Sequence, residues 1–320
     1  MTTTIESRAR EEQVPSWRSR LRPALAVAVA VAVGVLLFRQ RTALDAGADS
    51  LVRADLRWLA AAVAGTVLMW TAGTVSQLGS IPARVPLLRL FAVQFGGMFA
   101  NHVLPAGSGG MAVNVRFLRR CGLSRPVAVG AVGLNLLAGL VSHSVLLVGA
   151  VLLAPRSLAF AHPHGDPPDW ILPLLVVAGP VLGWVAWLCR RRWLPALQRL
   201  ADLAVVARDP RRAAQLWAGS VAVPVLHCVV LYAVLHAVGG TVGLLPVTLA
   251  YLLASAASAL LPSPGGFGSL DVALVATLVA VGEPAPVGLA AVLAYRLITV
   301  WIPLLPGACV LAVLIRRRVI

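Results

Sequence analysis

The sequence predicts an all-α, polytopic membrane protein on three observations. Of its 320 residues 59% are hydrophobic, only 12% are charged, and the apolar residues gather in runs long enough to cross a bilayer. A soluble domain carries about a quarter charged residues, and a spanning helix needs about 20 predominantly apolar ones. The mean hydropathy of +0.87 agrees. The expected architecture is about six transmembrane helices plus two re-entrant helical hairpins, arranged as inverted repeats. An Arg-rich tail (1–20) precedes one membrane domain (21–320), with halves at about 21–154 and 170–315.

The first span is Leu21–Phe38, behind a head containing Arg8, Arg10, Arg18, Arg20 and Arg22. It resembles a signal peptide in charge, but no small-residue cleavage site follows, so it reads as a retained anchor. Trp58 to about Val75 is the second span. Later uninterrupted runs are Val127–Leu153, Ile171–Cys189, Trp217–Val238 and Val287–Ile315. Several Trp residues, Trp58, Trp170, Trp193 and Trp217 among them, fall near the predicted ends, where interfacial aromatics belong.

Two apolar stretches are broken instead. Leu87–Leu104 runs into Pro105-Ala106-Gly107-Ser108-Gly109-Gly110, and Leu244–Leu261 meets Pro262-Ser263-Pro264-Gly265-Gly266-Phe267-Gly268. The arm after each break is too short to cross, so a hairpin entering and leaving by one face is expected. With the N-terminus inside and both hairpins re-entrant, segments 1–22, 76–89, 116–125, 190–216 and 316–318 are cytoplasmic. They hold 21 of the 27 basic residues, all Arg, as the positive-inside rule requires. Both termini are then cytoplasmic, and Pro155–Asp169 is external. The net charge of +15 is therefore a topological signal rather than a nucleic-acid surface.

The broken segments match in detail. Each passes from Leu-Pro through a Gly-rich tip and a short helix to a Gly, a Pro four residues later, and a long span: Gly122 and Pro126 in one, Gly282 and Pro286 in the other. One hairpin enters from the cytoplasm and its counterpart from outside. Inverted repeats with interrupted helices are the sequence sign of a transporter site.

Non-helical backbone at membrane depth must be buried or line a wet cavity, which singles out Gly107, Ser108, Gly109, Gly110, Pro264, Gly265, Gly266 and Gly268. Each tip opens a helix whose N-terminus favours an anion, although glycines that only allow close packing explain the same pattern. Asp271 and Arg296 are the clearly intramembrane charges, and such groups are expensive and usually paired. A salt bridge closing the hairpin is one reading. In the other, Arg296 binds a lipid phosphate that Asp271 orients or competes with. The first half is polar rather than charged, with Gln94, Asn101, His102, Asn114, Arg116, Asn135 and His143; helix–helix hydrogen bonding competes with ligand binding there. His227 and His236 have no carboxylate nearby in sequence and read as structural. The four Cys are scattered, and neither a metal-ligand cluster nor a hydrolase or nucleotide-binding motif occurs. No cofactor, metal or catalytic residue is expected.

The run Leu261–Asp271, followed by Tyr295-Arg296-Leu297 and Trp301-Ile302-Pro303-Leu304, resembles the transmembrane region of lysylphosphatidylglycerol synthases and their stand-alone flippase-like relatives. Gly107-Ser108-Gly109-Gly110 with Asn114, Arg116, Arg119, Arg120 and Gly122 resembles that family's other motif. The resemblance implies a multi-pass bacterial inner-membrane protein working on lipids. It assigns substrate contact to Arg296, to Asp271 in a position usually held by Glu, and to Tyr295 beside them. Met111 and Asn135-Leu136 replace charged residues of the family. The chain ends soon after its last span, so the soluble aminoacyl-transferring domain of the full synthases is expected to be absent. Three functions stay open: a flippase-like transporter of an anionic or phosphate-bearing lipid, a non-catalytic subunit scaffolding a lipid- or glycan-modifying enzyme, and a membrane-embedded lipid transferase. Membrane lipids are the expected partners, with a homo-oligomer or a partner enzyme as further candidates.

Overall fold

The structure, a computed structural model, describes residues 54–103, 108–153, 209–260 and 269–320, all within the compact unit Leu44–Ile320. The tail, the expected spans Leu21–Phe38 and Ile171–Cys189, and the loop Pro155–Asp169 lie outside the described residues. Every regular element described is helical. In chain order these are α1 (Leu56–Gly79), α2 (Leu87–Val103), α3 (Ser108–Arg120), α4 (Arg125–Leu153), α5 (Pro210–Ala237), α6 (Leu244–Leu260), α7 (Ser269–Ala280), α8 (Ala285–Arg296) and α9 (Ile302–Arg316). Four stretches among them are long and apolar enough to cross a membrane: α1, α4, α5 and the continuous run Ala285–Arg316.

Local chemistry sets the boundaries. Asp55 and Asp209 cap α1 and α5, accepting hydrogen bonds from the amides of Arg57 (2.8 Å) and Arg211 (3.0 Å), which relieves donors that the helix itself cannot satisfy. Asp209-Pro210 is also why α5 starts seven residues before the apolar run at Trp217, since Pro is favoured at a first helical position. The two short arms end alike. Gly122 and Gly282 adopt φ of +92° and +108°, and the next amide reaches back to Leu118 (3.2 Å) or Leu278 (3.0 Å). That left-handed closure suits glycine, and a new helix begins within three residues of each.

The run expected to be uninterrupted from Val287 to Ile315 is instead widened at Leu297–Trp301 into a π-helical turn. Pro303 has no N–H to offer the Thr299 carbonyl, and Pro306 repeats the defect a turn later. The wide turn lets Ile302 donate to Leu297, while the Thr299 hydroxyl donates to the Tyr295 carbonyl at 2.7 Å.

The seam between α1 and α5 organises the rest. A Cβ added to Gly79 would stand 2.3 Å from the Leu216 amide nitrogen, and one on Gly219 would stand 2.5 Å from that of Ser76; Gly65 faces Val230. Early residues of one helix thus meet late residues of the other, so the two run antiparallel with their backbones nearly touching. The Asp55 amide donates to the Ala237 carbonyl (3.0 Å) at one end. Ser76 ties the seam to α4, its hydroxyl bonding Asn135 (2.6 Å) and Ser220 (2.8 Å).

Each hairpin packs on itself, α2 against α3 and α6 against α7, and then on the long helix of the opposite half: α2 on α9, and α6 on α4. Gly96 abuts Leu311, Gly307 abuts Phe95 and Phe99, and His143 bonds the Leu252 carbonyl. Two buried clusters result. One joins Leu90, Val93, Phe117, Leu118, Ala128 and Val132 to Leu314 and Ile320. The other joins α5–α8 to Ala62 and Ala150. The first lies at the end that carries Arg84, Arg89, Arg119, Arg120, Arg125, Arg212 and Arg316–Arg318. Asp55, Arg57 and Glu283 mark the opposite end, where buried Glu283 accepts from the amides of Thr241 and Val242, both at 2.7 Å. Exposed Val63, Val67, Leu68, Leu137, Leu140, Val145, Val148 and Leu305 present far more apolar surface than a protein in water tolerates. The chain is a multi-pass membrane protein.

Candidate functional site

Asp271 and Arg296, the two charges that the sequence singles out as intramembrane, meet. Asp271 lies in the first turn of α7, where the helix dipole favours an acid; Arg296 closes α8. Arg296 Nε donates to Asp271 Oδ1. Their exposures differ, 8% for the Arg296 side chain against 27% for Asp271, so the acid is the more exposed partner. The salt bridge foreseen as one reading of the sequence is formed, and it joins the second hairpin to the start of the wide π turn.

His102, in the last turn of α2, has its Nδ1 2.9 Å from the Met98 carbonyl. On the buried side, Tyr295 Oη and His227 Nδ1 share a hydrogen bond of 2.6 Å, and the His227 ring stacks on Tyr251 at 5.2 Å and 14°. Three helices therefore lock together at the residue before Arg296.

The first hairpin differs. Counting back from Gly282 to Asp271, and equally from Gly122, leads to Met111; counting forward to Arg296, and equally from Gly122, leads to Leu136. Both replacements are exposed, at 46% and 51%. Where one half holds an ion pair, the other holds two apolar side chains turned outward.

Polar groups in the first hairpin are used internally. The Gly110 amide donates to Asn101 Oδ1 at 2.6 Å, and a Cβ on Gly109 would stand 2.1 Å from the Ala100 carbonyl oxygen. These glycines let α3 lie against α2. Asn114 is buried and donates to the Gly110 carbonyl (2.9 Å) and to Gln94 (3.4 Å), and its own carbonyl oxygen has no partner among the described residues. Ser108 opens α3 exposed. Arg116 is exposed on α3, toward Arg119 and Arg120. Gly107, Pro264, Gly265, Gly266 and Gly268 lie outside the described residues.

Sequence reasoning read His227 as structural without identifying its partners, and did not single out Tyr251. They come from α5 and α6, and no local spacing links them to Tyr295. No group of three or more His, Cys, Asp or Glu side chains able to hold a metal occurs among the described residues.

A family model described as the lysylphosphatidylglycerol synthase TM region matches residues 24–307. No curated protein matches the chain.

Proposed function

The chain belongs to the lysylphosphatidylglycerol synthase transmembrane-region family, and from that membership we propose that it moves a phosphate-bearing or other anionic lipid between leaflets. The observation carrying this reading is the Arg296–Asp271 pair, set where the first turn of α7 meets the start of the π turn. An unpaired charge at membrane depth is costly, so Arg296 keeps an anion beside it throughout. A lipid phosphate entering from the Asp271 side exchanges with the carboxylate. Asp271, being the more exposed partner, is released to water at lower cost than Arg296 would be.

The antiparallel α1–α5 seam and the crossed packing of hairpins on long helices support an inverted repeat with two re-entrant hairpins. Such repeats alternate access to a site near the midplane. The distribution of arginines supports placing the α3–α4 turn and the C-terminus in the cytoplasm of a bacterial inner membrane.

Reconstitution in liposomes with fluorescent lipids in one leaflet tests the reading. The wild type redistributes an anionic phospholipid and Arg296→Ala does not. Redistribution by the variant at the wild-type rate would refute it. Absence of movement with every lipid, together with co-purification of an enzyme, would favour a scaffold; product formation by the purified chain would favour a transferase.

A further inference from the structure

A cavity that Arg296 does not line sits at the arginine-rich end of the α1–α5 seam. It is open, of about 370 Å³, between the end of α1, the loop into α2 and the first turns of α5. Its lining includes three arginines, Arg84 from the loop and Arg211 and Arg212 from α5, beside apolar Leu78, Val85 and Leu87. The acid in the lining, Asp209, already accepts from the Arg211 amide at 3.0 Å and pairs with Arg212 at 3.4 Å. The positive-inside rule accounts for arginines on this face, but not for three lining one concavity together with aliphatic side chains. At Gly79 α1 lies so near the Arg212 and Leu216 backbone that an added Cβ would clash with it, which sets the separation of the two helices here. Exposed Trp217, next to this end of α5, is an interfacial residue and sets the cavity at headgroup depth.

We propose that this cavity binds the phosphate of an anionic phospholipid of the adjacent leaflet, its glycerol and first methylenes resting on the aliphatic side chains. Guanidinium is suited to phosphate because its fork of donors matches two oxygens at once, and basic pockets at the membrane surface bind lipid headgroups in this manner.

The experiment is photo-crosslinking of the full-length chain in phosphatidylcholine nanodiscs doped with a photoactivatable phosphatidylglycerol, with adducts mapped by mass spectrometry. Adducts are expected on the peptides spanning Leu78–Leu87 and Asp209–Gln215. The Arg84→Gln/Arg211→Gln double variant, changed at two exposed positions, is expected to lower their yield about thirtyfold, the effect of two basic contacts with an anionic lipid. Arg296→Gln should leave them unchanged, which separates this site from the transport site. Undiminished yield in the double variant, or adducts confined to other peptides, overturns the proposal. Complete displacement by millimolar inorganic phosphate, with equal labelling by a photoactivatable phosphatidylcholine, also overturns it and makes the cavity a free-anion site.

Discussion

The Tyr295 hydroxyl stands 2.6 Å from His227 Nδ1, joining α8 to α5 immediately before Arg296. The bond fixes the backbone from which the guanidinium projects, and the stack of His227 on Tyr251 extends the clamp to α6. Tyr295→Phe should lower thermal stability modestly, by about 0.5–1.5 kcal/mol, the worth of one hydrogen bond. Its effect on lipid movement should be greater than on stability, and rates measured in liposomes beside melting curves check this.

Opening the ion pair from either side should destabilise the chain, because the remaining charge loses a partner at membrane depth; such losses run to about 3–5 kcal/mol. The first half suggests the rescue. Changing Asp271→Met and Arg296→Leu together copies the apolar side chains at Met111 and Leu136. The double variant should recover most of the melting temperature lost by Arg296→Leu alone while remaining inactive in lipid movement. A double variant as unstable as the single one would show that the pair is needed for the fold.

Glycines in the described helices should split into two classes. Gly219→Ala puts a methyl group against the Ser76 backbone and should cost about 1–3 kcal/mol, as overpacking does. Gly139 and Gly149 have nothing within 4 Å of an added Cβ, and Ala there should be neutral or stabilising by up to about 1 kcal/mol. Thermal denaturation of the three purified variants in one detergent reads the difference.

The membrane arrangement is tested by membrane-impermeant maleimides on a chain with its native cysteines changed to Ser. Ser124→Cys, between α3 and α4, and Thr241→Cys, between α5 and α6, are both exposed and should label from opposite compartments. Labelling of both from one side would remove the inverted arrangement. Native Cys121 is replaced for its position beside Ser124, although burial pushes its thiol up, with Arg89 opposing, and slows its reaction.

Much of this was legible in the sequence because the signals were local. Pro and Gly marked the short arms, whose closing turns at Gly122 and Gly282 share one geometry. Asp271 and Arg296 stood out because charge is rare in apolar runs, and their pairing followed from its cost. What escaped depends on contacts between distant segments. Gly79 and Gly219 look like any small residue in a membrane helix until α1 and α5 are laid side by side. His227 lacked a carboxylate neighbour, yet its partners were two tyrosines from other helices. The widened turn was signalled by Pro303 and Pro306 and was passed over because hydropathy is blind to a missing N–H.

The α1–α5 seam limits how this molecule can move. Helices separated by side chains can slide past one another as rotamers change, but where Gly79 and Gly219 bring main chain against main chain there is nothing left to rearrange. Those two helices therefore act as a fixed spindle. Any alternation between leaflets has to be carried by the arms hung on it, with the wide turn after Arg296 as their elbow.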